Sequence, residues 1–147
     1  MNSHLIHVGE HISKELRYSH EDIAQFARIT FDQNPLHRDV DLAKRVGFGE
    51  VIATGQQTSS IMMGFMATHF SRSDAAVKRE LLCLNFNFSY KLPVFPERDL
   101  LLRWKVTSAT WNSKLGGMLA LLDGDATMRN STPSVIGRGT ILVKELV

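Results

Sequence analysis

Asp32-Gln33-Asn34-Pro35-Leu36-His37 puts a carboxylate and an imidazole on one short stretch, five residues apart. Pro35 fixes its own φ and restricts Asn34 to extended conformations, which stiffens the connection between the two. Asn34 can bond neighbouring backbone and hold a turn. Such a stretch could be a rigid acid/base pair converging on one small space, equipment for moving a proton to or from a substrate. It could equally be a plain turn, with His37 capping the helix that follows. The loop alone does not choose between them.

The elements that would position this loop are legible on either side of it. Gly9 to Tyr18 mixes apolar and polar residues and is expected as a strand. Ser19, three residues before Asp22, is a helix start signal. Ile23, Phe26, Ala27 and Thr30 follow at helical spacing and predict a helix to about Ile29. Phe31 to Arg38 is a loop, and Asp39 or Asp41 caps a short second helix that ends at Gly47-Phe48-Gly49. After Val51-Ile52-Ala53 and Thr54-Gly55, Gln56 to Phe70 is long enough for about four helical turns. Ile61, Met62, Phe65 and Met66 cover much of its circumference, which predicts a helix buried on most sides.

The remainder alternates. Leu82, Leu84, Phe86, Phe88 and Tyr90 interleave with Cys83, Asn85, Asn87 and Ser89 at a period of two. Pro93 and Pro96 interrupt the pattern. Leu100, Leu102, Trp104 and Val106 resume it, and two more runs follow at about Met118–Met128 and Val135–Val143. Strands joined by short turns pair antiparallel. The expected class is therefore α+β: one antiparallel sheet whose apolar face needs a long helix to cover it.

Composition narrows the functions open to this chain. With 147 residues, 44% hydrophobic and 22% charged, it reads as one globular domain spanning 1–147. Its net charge of +2 is scattered rather than blocked, so no nucleic-acid partner is expected. No apolar run approaches the roughly 20 residues of a membrane span. Met1–His7 carries no basic segment leading into an apolar run, and no secretory leader is expected. The single cysteine, Cys83, excludes an intramolecular disulfide and suits a reducing, cytoplasmic setting. Cys83 shares its strand face with Asn85 in this alternation and is read as structural. His4, His7 and His11 do not make a metal site in an extended segment, and a solvated N-terminus is expected. Met62, Met63 and Met66 are read as core filling rather than as the wall of a tunnel. No nucleotide-binding glycine motif is present, and neither cofactor nor metal is implied.

Three motifs in order carry a family resemblance. Asp32-Gln33-Asn34-Pro35-Leu36-His37 resembles the hydratase signature of the MaoC-like (R)-specific enoyl-CoA hydratases. Gly47-Phe48-Gly49-Glu50-Val51-Ile52-Ala53-Thr54-Gly55 resembles the segment that follows it, and Phe88 with Pro93-Val94-Phe95-Pro96 resembles the later strand and turn. The resemblance implies the hot-dog fold, a long helix wrapped by an antiparallel sheet, and a homodimer in which one protomer completes the site of another. It implies addition of water to a 2-enoyl thioester of coenzyme A. Asp32 would act as base and His37 would orient the same water, with Asn34 shaping the loop. Gly55, at the positive end of the long helix, would offer its backbone N–H to the developing enolate oxygen. A packing role for Gly55 is the simpler alternative. Arg38, Lys44, Arg45, Lys78, Arg79 and Lys91 are candidates for the coenzyme phosphates, and otherwise solvated charges. A thioesterase on the same fold, or a non-catalytic binding or partner subunit, are the rival readings.

The chain departs from the family pattern at identifiable places. Phe31 stands before Asp32 where glycine is common, narrowing the pocket or filling the core. Thr54 stands before Gly55 where histidine is common. Met63 occupies the place of a serine two turns into the long helix, with Ser59 and Ser60 one turn earlier. Glu97-Arg98-Asp99 replaces the usual Gly-Asp after Pro96.

Overall fold

The computed structural model describes residues 4–72 and 77–146. Residues 1–3, at the start of the segment read for a leader, and residue 147 lie outside them. The elements run β1 (His11–Leu16), α1 (His20–Ile29), a single 3-10 turn (Pro35–His37), α2 (Val40–Arg45), α3 (Gly55–Phe70), β2 (Arg79–Tyr90), β3 (Leu100–Asn112), β4 (Gly117–Met128) and β5 (Pro133–Glu145). The strands form one antiparallel sheet in the order β1-β3-β4-β5-β2. Helix α3 touches all five strands. This is the α+β hot-dog arrangement that the alternation and the resemblance predict.

Helix boundaries fall where the cap chemistry puts them. Ser19 and Asp22 form a reciprocal capping box that satisfies two donors of the first turn of α1. Asp39, not Asp41, caps α2 by accepting from the Leu42 N–H at 3.0 Å. Thr54 caps α3 through its hydroxyl, which accepts from the Gln57 N–H at 3.2 Å.

The core lies between α3 and the sheet. Met62, Met66 and Phe70 are fully buried as core against Leu100, Leu102, Trp104 and Val106 of β3, whereas Met63 is only half-buried. The Trp104 indole N–H donates to the Met62 carbonyl at 2.8 Å, so the largest buried ring is also polar-satisfied. Glycines opposite the aromatic rings make this packing possible. A Cβ at Gly137 would stand 2.7 Å from the Phe88 ring and 2.9 Å from Trp104. Gly124 and Gly139 lie as closely under Trp104 and Phe86.

Two expectations fail here for physical reasons. The alternation along β2 is not continuous. Cys83 aligns with Ile141 but Asn85 with Thr140, so a bulge inserts one residue and the phase slips. Cys83 and Asn85 therefore do not share a face, and Leu82 and Leu84 are 44% and 49% exposed. Nor is the N-terminal segment solvated throughout: His4, His7 and His11 are exposed, but the two residues that follow His4 are not. Leu5 and Ile6 are buried in the core, and Arg79 donates to the Leu5 carbonyl at 3.0 Å. Two consecutive apolar residues outside any periodic run gave no signal of this anchoring.

Candidate active site

The chain leaves α1 through a tight reversal. Asp32 N–H donates to the Ala27 carbonyl at 2.9 Å and Phe31 N–H to Arg28 at 3.2 Å, the bonding of a helix stop whose apex prefers glycine. The apex here is Phe31, with φ of 59°. Its side chain is 91% exposed, so within one protomer it neither fills the core nor narrows a pocket.

From there the loop closes on itself. Asp32 Oδ1 accepts from the Asn34 N–H at 3.0 Å, and Asn34 Oδ1 accepts from the Leu36 N–H at 3.1 Å. The side chain of Asn34 is thus spent on the turn, as the sequence predicts. Pro35 opens the 3-10 turn that delivers His37 inward, where the ring is buried.

Two contacts define the imidazole. Nδ1 lies 2.7 Å from the Ile52 carbonyl oxygen. A carbonyl only accepts, so Nδ1 carries the hydrogen. Nε2 lies 3.4 Å from Asp32 Oδ2. In the neutral ring, Nε2 then presents a lone pair to a carboxylate that also offers only lone pairs. At 3.4 Å the two atoms leave no room for a water on the line between them. A protonated ring would donate to Asp32 directly, and a water bonded to both the neutral ring and the carboxylate would sit to one side of the pair. The Ile52 carbonyl is the contributor that sequence reasoning missed. It is a backbone atom fifteen residues away, and no side-chain type marks it.

Gly55 opens α3 and lines a cleft of about 340 Å³ with Phe48, Ile52, Thr58, Tyr90 and Val94. As a first-turn amide its N–H has no intrahelical acceptor. The packing requirement on this glycine is also real. A Cβ would stand 2.7 and 2.8 Å from the Tyr90 ring. Asp32 and His37 are not in the lining of that cleft; the link between the two places is Ile52, which both touches His37 and lines the cleft.

Beneath the cleft, the Tyr18 hydroxyl meets Thr58 Oγ1 at 3.0 Å. Burial pushes the Tyr18 pKa up to about 12, against a lowering by the Thr58 hydrogen bond and a further push from Asp22. Tyr18 is therefore a neutral structural hydroxyl throughout the ordinary pH range.

The remaining departures are structural ties. Glu97 has φ of 59°, and its N–H donates to the Tyr18 carbonyl at 2.6 Å. Arg98 donates to Glu50 at 2.6 Å and lies over the Phe95 ring, while Asp99 pairs with Arg17 at 2.9 Å. Among the basic candidates, Arg79 is committed to Glu10 and to the Leu5 and His69 carbonyls. Glu10 also meets His69 Nε2 at 3.0 Å. Cys83 is exposed, and local desolvation raises the pKa of its thiol. Among the described residues there is no cluster of metal-binding side chains and no helix long and apolar enough to cross a membrane.

Comparison with known proteins locates this arrangement. The MaoC-like domain family matches residues 6–116. The chain is 22% identical over 146 residues to the mitochondrial 3-hydroxyacyl-(acyl-carrier-protein) dehydratase of Solanum lycopersicum, covering 99% of this chain and 82% of that protein. It is 26% identical over 139 residues to the (R)-specific enoyl-CoA hydratase of Aeromonas caviae, covering 88% and 98%. The solved (R)-hydratase from A. caviae superposes with a TM-score of 0.80 at 23% identity, over 92% of this chain and 96% of that one. A chain of the ChsH1–ChsH2 complex from Mycobacterium tuberculosis gives 0.77 at 14% identity, over 93% and 98%.

Proposed function

Since the chain belongs to the MaoC-like domain family of hydratases and dehydratases, we propose that it adds water across the double bond of a 2-enoyl thioester, giving a (3R)-hydroxyacyl thioester, and catalyses the reverse dehydration. The observation that carries this reading is the disposition of His37: Nδ1–H spent on the Ile52 carbonyl, Nε2 turned to Asp32 at 3.4 Å. Two acceptors so placed hold one water, to one side of the pair, by both of its hydrogens.

The chemistry follows from that water. Its oxygen adds to Cβ while Asp32 takes the departing proton, and His37 Nε2 accepts the other O–H and fixes its direction. The electron pair of the double bond moves onto the thioester oxygen, where the Gly55 N–H at the positive end of α3 stabilises it. The proton held on Asp32 then passes to Cα. Hydrogen and hydroxyl thus reach the same face, and nothing else is consumed. Asn34 acts through the turn it holds.

Coenzyme A is the carrier proposed first, in a reducing, cytoplasmic setting; the acyl-carrier-protein name of the Solanum relative makes that carrier the second one to try. A homodimer is proposed because β2 is a twelve-residue edge strand, with its outer backbone groups open to pairing by a second copy. The test is loss of the conjugated enoyl-thioester absorbance, with free thiol measured in parallel. Thiol release would make the protein a thioesterase. Silence in both measurements across short, medium and branched substrates on both carriers would favour a binding or partner subunit.

A further inference from the structure

Tyr90, the last residue of β2, is held at both ends. Its ring rests on Gly55, as the 2.7 Å approach to a Cβ there measures. Its hydroxyl meets Ser59 Oγ at 3.0 Å, one turn further along α3. Ser59 is buried, and its Oγ also lies 3.3 Å from the Gln56 carbonyl. Yet Tyr90 is 53% exposed, and it lines the cleft beside Gly55. The other walls of that cleft include Phe48, Ile52, Leu92, Val94 and Val135.

Polar groups at the start of α3 with apolar walls beyond them suit a ligand that has a carbonyl at one point and an apolar chain leading away. We propose that Tyr90 is the specificity-determining residue for the length of that chain, and that Ser59 is its positioning residue. The proposal rests on the reading above in one respect: the thioester carbonyl sits at the Gly55 N–H. A ring pinned to the first turn of α3 then closes the space beside the carbonyl. Short acyl groups fit under it and longer ones meet its edge. Without the hydroxyl latch the ring is free to swing, and the limit on length loosens.

The test separates this claim from the hydratase reading by measuring binding as well as turnover. Affinities for butanoyl-CoA and octanoyl-CoA, which have no double bond to hydrate, are measured by calorimetry. The proteins are the wild type, Tyr90→Ala, Tyr90→Val and Ser59→Ala, with circular dichroism confirming the fold. Turnover of the matching 2-enoyl-CoAs is followed in the same set. Each methylene newly buried is worth about fourfold in affinity. Tyr90→Ala is therefore expected to shift the octanoyl-to-butanoyl affinity ratio by at least about tenfold toward the longer chain. Tyr90→Val keeps a strand-forming residue should the alanine variant unfold, and shifts the ratio the same way. Ser59→Ala shifts it by a smaller factor, whereas a merely structural role for Ser59 weakens both ligands alike. An unchanged ratio in the folded Tyr90 variants, or no acyl-CoA binding by the wild type, overturns the proposal. Shifted ratios without any turnover would sink the hydratase reading and leave Tyr90 as the measure of chain length.

Discussion

At the scale of single residues, Phe31 is the costliest position next to the proposed chemistry. A side chain at φ of 59° is strained by contact between Cβ and backbone, and this one gains no burial in return. Glu97 carries the same strain with φ of 59°, but its N–H is anchored to Tyr18. Phe31→Gly is therefore expected to raise stability by about 0.5–1 kcal/mol, read as a rise of a few degrees in melting temperature. A fall instead would mean that the ring is packed against something in solution. The sequence made Phe31 visible as an oddity, through the glycine common at that place in the resembling family. It could not show the sign of φ, which the bonding of Phe31 and Asp32 to the last turn of α1 determines. Likewise Asp32 and His37 were legible from their types and spacing. The Ile52 carbonyl that sets the His37 tautomer was not, because a backbone acceptor has no signature in sequence.

At the scale of elements, propensity and capping carried most of the reading. Ser19 and Asp39 cap the helices they precede, as their types predict; Thr54 also caps α3, a role not read from the sequence. The long helix and the four later strands follow from their periods. What escaped is the bulge between Cys83 and Asn85, since one inserted residue leaves an alternating pattern looking continuous. The glycines of β4 and β5 were also mute in sequence, and packing explains them. At Gly137 a Cβ would press on both Phe88 and Trp104 at under 3.0 Å. Gly137→Ala is expected to cost about 1–3 kcal/mol by overpacking, measured by denaturant unfolding. A neutral result would mean that the two rings can retreat, and that the core over α3 is looser than this geometry describes.

At the scale of the whole molecule, the sheet has two edges of different character. β1 is six residues long, while β2 runs for twelve and ends at Tyr90 beside the cleft. A long edge strand with exposed leucines at its bulge is a surface that a second copy would cover. Light scattering is expected to give twice the 16.5 kDa chain mass at micromolar concentration. A mass of one chain would remove the proposal that a partner protomer completes the site. The order of elements and the resemblance pointed to this architecture from the sequence. The anchoring of Leu5 to Arg79 and the ties of Glu10 to His69 and Arg79 were not legible, because they join segments more than fifty residues apart.

The most direct test of the central claim is the decay of enoyl-thioester absorbance with but-2-enoyl-CoA, run on the wild type, Asp32→Asn and His37→Ala with thiol release monitored alongside. Water held by Asp32 and His37 requires absorbance loss without thiol in the wild type. Each substitution should then lower kcat by at least about a hundredfold, the scale of a lost acid/base group, while the melting temperature stays near that of the wild type. Turnover that persists in either folded variant would contradict the assignment of the chemistry to this loop.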